Sequence, residues 1–528
     1  MELAPFALLS AGTIAALSYL QRARVAAAAP PGGGPPYAGP SKAQILLDRA
    51  SCIGPNCEVN YPKAPLLMVR GAGQHLYDEL GAEYLDCVNN VAHVGHSHPR
   101  VVAAVAAQMA ALQTNSRYLH PHITEYAKRL GALLPGELKV VYWVNSGSEA
   151  NDLALRLARA FTGRRGVITV DGAYHGHTVQ TIDVSPYKYA RELRRGERGC
   201  VRAVPQPDEY SGVARGAGAG GRYAAFVDRA LAEFAADEAA EAAWRARTGA
   251  GAASTETLLP TMSKAGAAAA AAVAAPAPAP APPAEPAEAA AAWAARNTRV
   301  DGLTAGCGAF LLESILSCGG QVRPPAGYLR RVHAAVRAAG GLCIADEVQV
   351  GFGRVGAPHF WAFQLAGEDV VPDIITLGKP IANGFPCAAV VTTPAIARAF
   401  AAQYEYFNTF SGSPVAGAAA NAALDVMLEE DLAGNAARVG KVLLDGFHAL
   451  AARFSGGGSG AGAGGRPVTI GSVRGVGFMV GLEMVKDAAS REPDGEVAGL
   501  VKYKLLAKRI LISTDGEPRG RARPPLRG

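Results

Sequence analysis

Apolar and polar positions follow two rhythms along this chain. Unbroken apolar runs fall at residues 140–144 (VVYWV), 166–170, 309–312, 342–345, 373–377 and 388–391. Runs this short and continuous predict strands buried on both faces. Helical spacing returns between them. Ala150, Leu153, Ala154, Leu157 and Phe161 stand at i, i+3, i+4, i+7 and i+11, so a helix with one apolar face follows directly on the first strand. Strand and helix in alternation predict an α/β fold, a mostly parallel sheet covered by helices on both faces. In such sheets ligands bind beyond the carboxyl ends of the strands.

Three stretches break the rhythm. Residues 3–20 carry no charge and are followed by Arg22 and Arg24. A secretory signal would place positive charge ahead of the apolar run, and a membrane span would be longer and more apolar. The arginines and small residues fit a transit peptide, which predicts a mitochondrial protein. A membrane anchor, an unprocessed tail, and a cytoplasmic or plastid location are the alternatives. PPGGGPP at 30–36 reads as a linker. Residues 212–300 are dominated by Ala, Gly and Pro and read as a low-complexity surface insertion, with Ala-rich flanks at 223–247 and 286–296 predicted as short helices. Residues 456–465 (GGGSGAGAGG) read as a flexible loop.

Composition narrows the classes. The chain has 528 residues and a net charge of +6, and much of that excess lies in its two ends. The body is too near neutrality for a nucleic-acid-binding surface. Eight cysteines without a C-x-x-C pair are too few for a disulfide scaffold and predict free, mostly buried thiols in a reducing compartment.

The candidate chemistry stands at the strand ends. Asn145-Ser146-Gly147-Ser148 follows the first strand and opens a helix, where free amides and the helix dipole suit a phosphate; the same residues also suit a plain N-cap. Tyr174 lies in a Gly-flanked loop after the second strand, placed to cover a flat ligand or to pack on the sheet edge. His175 and His177, like His93, His96 and His98, invite a metal reading, but no Cys or carboxylate completes a ligand set, so no metal is predicted. Asp346 ends the run 342–345, where a carboxylate is costly without a cationic partner. Lys379 follows 373–377, where burial favours a neutral, nucleophilic amine. A phosphate cradle, an aromatic cover, a buried Asp and a buried Lys together are what pyridoxal phosphate requires.

With those residues in place, the chain resembles the class-III pyridoxal-phosphate aminotransferases of fold type I. It is most similar to their ethanolamine-phosphate and phosphohydroxylysine phospho-lyases, also called alanine–glyoxylate aminotransferase 2-like proteins. The stretches that carry the likeness include NNVAHVGHSHP (89–99), TNSRYLH (114–120), NSGSEANDLALRLAR (145–159), YHGH (174–177), SPYK (185–188), ADEVQVGFGRVG (345–356), GKPIANGFP (378–386), YFNTFSGSPV (406–415) and RGVGFMVG (474–481). The resemblance implies a large cofactor domain at 96–424, holding the insertion 212–300, and a small α+β domain built from 41–95 and 425–516. It leaves 1–40 as a targeting or disordered tail and 517–528 as a divergent one. It also implies that the small domain lacks its last elements.

The resemblance implies residue roles as well. Lys379 is the Schiff-base lysine and proton shuttle. Asp346 holds the pyridine nitrogen, Gln349 the ring hydroxyl, and Tyr174 stacks on the ring. Gly147 and Ser148 bind the phosphate, and Thr409 reaches it from the second subunit of a homodimer. Arg474 matches a position that binds a substrate carboxylate. Arg117 and Lys188 are candidates for a substrate phosphate. Pro380 departs from the small polar residue that usually follows the lysine. The substrate is then a primary amine. The implied reaction is elimination of phosphate from phosphoethanolamine or phosphohydroxylysine. Amino transfer to glyoxylate or pyruvate is the alternative, and an inactive structural homologue is the third reading.

Overall fold

The computed structural model describes residues 37–114, 117–189, 200–248, 303–454 and 468–514. The apolar tail 3–20, the Ala-Pro run, the helix expected at 286–296, the loop 456–465 and the tail 517–528 lie outside them. Among the described residues no helix is long and apolar enough to cross a membrane.

Thirteen strands form three sheets among the described residues. In chain order they are β1 (Met68–Ala72), β2 (His75–Asp78), β3 (Glu83–Asp86), β4 (Val140–Val144), β5 (Arg164–Val170), β6 (Val201–Val204), β7 (Thr304–Glu313), β8 (Leu342–Asp346), β9 (Ile374–Leu377), β10 (Ala388–Thr392), β11 (Thr469–Val476), β12 (Met479–Val485) and β13 (Ile510–Leu511). The central sheet has the order β4-β10-β9-β8-β7-β5-β6. Its pairings are parallel from β9 through β6, and β10 runs antiparallel to both β9 and β4. All six expected strands are present. The edge strand β6 (VRAV) is an addition, hidden in the sequence by its charge and its shortness.

Helices cover both faces. On one face the helix Gly147–Thr162 begins at Ser146, whose hydroxyl accepts the Glu149 amide at 3.2 Å, and ends at Gly163 in the left-handed conformation. Ala150, Leu153, Ala154 and Leu157 are buried as the spacing predicts, but Phe161, on the last turn, is 44 % exposed. On the other face the small side chains of the helix Pro414–Glu429 let it approach the helix Pro121–Ala132 closely. A Cβ at Gly417 would stand 2.9 Å from His122 and Ile123. The second sheet, β1-β2-β3-β13, draws on both ends of the chain: β13 pairs in parallel with β3, and the Tyr61 hydroxyl bonds the Ile512 backbone.

The stretch expected to be a surface insertion begins inside the core. The helix Ala219–Thr248 buries Tyr223, Ala224, Val227, Ala230 and Phe234 against the central sheet. Its buried Glu241 pairs with Arg165 and Arg245 and accepts the Ala305 amide at 2.7 Å. Phe234 lies on Gly166 of β5, where a Cβ would come within 2.7 Å of its ring. Thiols also depart from expectation, since Cys52, Cys57 and Cys87 are exposed and only Cys307, Cys343 and Cys387 are buried.

Phe234→Ala removes a fully buried aromatic and is expected to cost about 3–5 kcal/mol of apparent stability in urea unfolding. A loss below about 1 kcal/mol would place this helix outside the core.

Candidate active site

The carboxyl ends of β4, β5, β7, β8 and β9 meet in one region, and a buried carboxylate organises it. Asp346 closes β8 and is 4 % exposed. Its Oδ2 accepts Asn151 Nδ2 and His175 Nδ1, each at 2.8 Å. Its Oδ1 accepts the Val348 amide at 3.1 Å and keeps a lone pair free for one more donor. Asn151 is fully used: Nδ2 also donates to His175 O at 2.8 Å, and Oδ1 accepts Thr376 Oγ1 at 2.8 Å. Because the carboxylate only accepts, His175 carries its proton on Nδ1. Its Nε2 is buried with no partner among the described residues.

A second carboxylate sits beside the first. Glu313 closes β7 in register with Asp346. Its Oε1 accepts the Tyr174 amide at 2.9 Å, and its Oε2 accepts the Ser317 amide at 3.1 Å together with the Ser317 hydroxyl. Burial raises the Glu313 carboxyl above its ordinary value, with His175 opposing. Glu313 thereby fixes the backbone of the loop that presents Tyr174. Burial also raises the Tyr174 phenol, helped by Cys318, Asp346 and Glu313, so it stays protonated. Glu347 points away from this region. It accepts the amides of Ala362 and Phe363, and burial lifts it to about 7.

The helix Gly147–Thr162 aims its free amides into the same region. A Cβ at Gly147 would meet Val348 at 2.7 Å, so only glycine lets Val348 close over this end. Gly176 has φ 138°, and a Cβ there would stand 2.7 Å from Ser148 Oγ, which welds the Tyr174 loop to the helix start. Ser148 Oγ accepts the His177 amide at 3.1 Å and retains its own proton to donate.

Lys379 opens a 3-10 turn after β9 with φ 32°, a left-handed conformation costly for a side chain with a Cβ. Its Nζ donates to Gln349 Oε1 at 3.2 Å. Pro380 is accommodated, because an amide at that position of a turn has no bond to make. Lys188 Nζ lies 5.6 Å over the Tyr174 ring and 5.4 Å over Tyr187.

Other expected residues stand apart. Arg117 lies 5.0 Å over the Phe407 ring, and Thr409 is exposed next to Asn408, which bonds Asn145 and Glu149. Tyr118, Leu119, Phe407 and Phe410, from the same two chain segments, are exposed. Arg474, on β11, is ion-paired with Asp208 at 3.0 Å and with Glu483. Burial works against the Asp208 carboxyl, but Arg474 and its hydrogen bonds hold it below the ordinary value. The histidines scatter: His93 meets Arg354, His96 meets Asp86 and His98 meets Glu430. Among the described residues no group of His, Cys, Asp and Glu is arranged to hold a metal.

This donor set fits pyridoxal phosphate. The free Oδ1 lone pair of Asp346 suits a protonated ring nitrogen, the Gly147–Ser148 amides suit a phosphate, and Tyr174 and Val348 suit the two ring faces. Asn151, Glu313 and Val348 were not legible as site residues, and His175 reads in the sequence only as a candidate metal ligand.

The model of the family described as aminotransferase class-III matches residues 57–235 and 239–527. The chain is 41 % identical over 478 residues to an alanine–glyoxylate aminotransferase 2-like protein of Drosophila melanogaster, covering 90 % of this chain and 81 % of that one. It is 34 % identical over 490 residues to ethanolamine-phosphate phospho-lyase homolog 1 of Caenorhabditis elegans, covering 92 % and 90 %. A solved phospholyase from Arthrobacter in complex with phosphoethanolamine superposes with a TM-score of 0.67 at 32 % identity, covering 89 % of this chain and 92 % of its own.

His175→Ala removes one of the two side-chain donors on Asp346. It is expected to weaken pyridoxal phosphate binding by the apo-protein about tenfold in a fluorescence titration, with an unchanged far-UV spectrum. Unaltered affinity would mean that His175 does not set the Asp346 carboxylate.

Proposed function

This chain belongs to the class-III aminotransferase family, and we propose that its own reaction is the elimination of phosphate from a small phosphorylated primary amine, phosphoethanolamine or phosphohydroxylysine. It is a pyridoxal-phosphate enzyme of fold type I. One observation of the structure carries the choice of reaction. Arg474, matched to a position that binds substrate carboxylates, is already paired with two carboxylates of this chain, Asp208 and Glu483. That neutralisation disfavours a substrate with a carboxylate on its reacting carbon and favours an amine whose reacting end carries none, as in phosphoethanolamine and at the phosphorylated end of phosphohydroxylysine. The likeness to the Arthrobacter phospholyase supports the same reading.

The cofactor, when bound, supplies an electron sink for the bond electrons of the substrate Cα. In the proposed assignment Asp346 Oδ1 keeps a proton on the ring nitrogen, with His175 and Asn151 fixing the carboxylate. Gln349 takes the ring hydroxyl and also holds Lys379 Nζ in place. Tyr174 covers one ring face and Val348 the other. The amides of Gly147 and Ser148, the Ser148 hydroxyl and Thr409 of a second protomer hold the cofactor phosphate. The exposure of Phe407 and Phe410 beside Thr409 supports a homodimer, since exposed aromatics are often covered by a partner.

Lys379 Nζ removes the Cα proton of the amine. The C–O bond on the adjacent carbon then breaks, and its electron pair leaves with the phosphate. In the proposed assignment Lys188, held over Tyr174, stabilises the departing dianion, and Arg117, which stands apart over the Phe407 ring, is given no part in this step. Water converts the unsaturated amine that remains into an aldehyde and ammonia.

Purified protein with pyridoxal phosphate and phosphoethanolamine is expected to release inorganic phosphate continuously without any keto acid. Lys379→Ala is expected to lower the rate at least about a thousandfold. Turnover that starts only on addition of glyoxylate or pyruvate would instead establish amino transfer.

A further inference from the structure

Among the described residues Arg354 is a cation without a counter-charge. It follows Gln349 in the loop after β8 and keeps part of its surface open. One of its Nη atoms donates to Asn90 O at 3.2 Å and to His93 Nδ1 at 2.9 Å. Its Nε is enclosed with no partner among the described residues. Burial alone pushes the guanidinium down to about 10, and no neighbouring carboxylate among the described residues pulls it back.

His93 cannot supply the missing charge. Its Nε2 faces the carbonyl oxygen of Phe352 at 2.7 Å, which only accepts, so Nε2 carries the proton and Nδ1 offers its lone pair to Arg354. Burial, with the Arg354 charge beside it, pushes the imidazole down to about 3. His93 is therefore neutral across the working pH range and orients the guanidinium without neutralising it.

The position of this group is set by the two loops that carry the active site. Val94 N donates to Asn383 Oδ1, and Asn383 Nδ2 donates to Gly95 O, each at 2.9 Å. Asn383 ends the turn that Lys379 opens. Residues 90–95 therefore lie on the Lys379 loop, while Arg354 comes from the loop of Asp346 and Gln349. The guanidinium sits where the two meet.

An uncompensated cation in such a place is expensive unless an anion arrives to pair with it. We infer that Arg354, aimed by His93 and Asn90, binds the phosphate group of the amine substrate. The planar guanidinium matches a phosphate in geometry as well as charge. The cofactor's own phosphate has a separate place at the start of the helix Gly147–Thr162. This assignment rests on the phospho-lyase reading above.

The test uses the holoenzyme and the first spectral change of the bound cofactor on rapid mixing with an amine. Arg354→Gln is expected to raise the half-saturating phosphoethanolamine concentration about ten- to hundredfold, and that of ethanolamine by less than about twofold. Arg354→Lys should fall between, since it keeps the charge and loses the fork. An equal change for both amines, or no change for either, overturns the assignment. Should Arg354→Gln fail to hold cofactor, inorganic phosphate competition replaces it. Phosphate is expected to compete with phosphoethanolamine on the unaltered enzyme and about tenfold less well on Arg354→Lys. Equal competition on both also overturns it. Preference for phosphoethanolamine over ethanolamine without any phosphate release would sink the phospho-lyase reading and leave Arg354 to be judged by its variants. No preference at all would overturn the Arg354 assignment.

Discussion

The hydrogen bonds around the Asp346 carboxylate are the constraint on which the rest of the site depends. A charge at the end of a strand buried on both faces is tolerable only when its lone pairs are taken up. Three come from the chain itself: Asn151, from the helix after β4; His175, from the loop after β5; and the Val348 amide, from its own loop. Those bonds tie three strand ends together. The same Val348 closes over Gly147, and the same loop carries Gln349 to Lys379. The start of the helix Gly147–Thr162, the Tyr174 loop and Lys379 thus take their relative positions from one buried acid.

Two arginines differ sharply in their partners. Arg474 is spent on Asp208 and Glu483, across the join between the loop after β6 and the hairpin β11–β12. Among the described residues Arg354 has only neutral partners. A chain that recognised an amino-acid carboxylate through Arg474 would have no reason to cover it with two acids. The family supplies the shared chemistry of proton removal at Cα. The pattern of paired and unpaired arginines is what bears on the choice of substrate in this chain.

Much of this was legible in the sequence because the signals are local. Unbroken apolar runs marked six of the seven strands of the central sheet, and the residues just past them marked Asp346, Lys379 and Tyr174. What stayed hidden depends on tertiary pairing. His175 and Asp346 are 171 residues apart, and nothing near His175 announces that partner, so it read as a loop or metal-seeking histidine. At 219–248 the helix expected at 223–247 is present, but composition placed it in a surface insertion and hid that Tyr223, Val227 and Phe234 share one buried face. Phe161 fitted the apolar stripe of its helix yet stands at the exposed last turn, because periodicity reports a face and not where the sheet beneath it ends. No sequence pattern marks a missing counter-ion, so Arg354 emerged only from its contacts.

The central claim is that the buried Asp346 carboxylate keeps a proton on the ring nitrogen of the bound cofactor. The direct measurement is the 15N chemical shift of that nitrogen in holoenzyme made with 15N-labelled pyridoxal phosphate. The account predicts a protonated shift that does not titrate across the neutral pH range and that reverts to the unprotonated value in Asp346→Asn. An unprotonated nitrogen in the unaltered enzyme would contradict it.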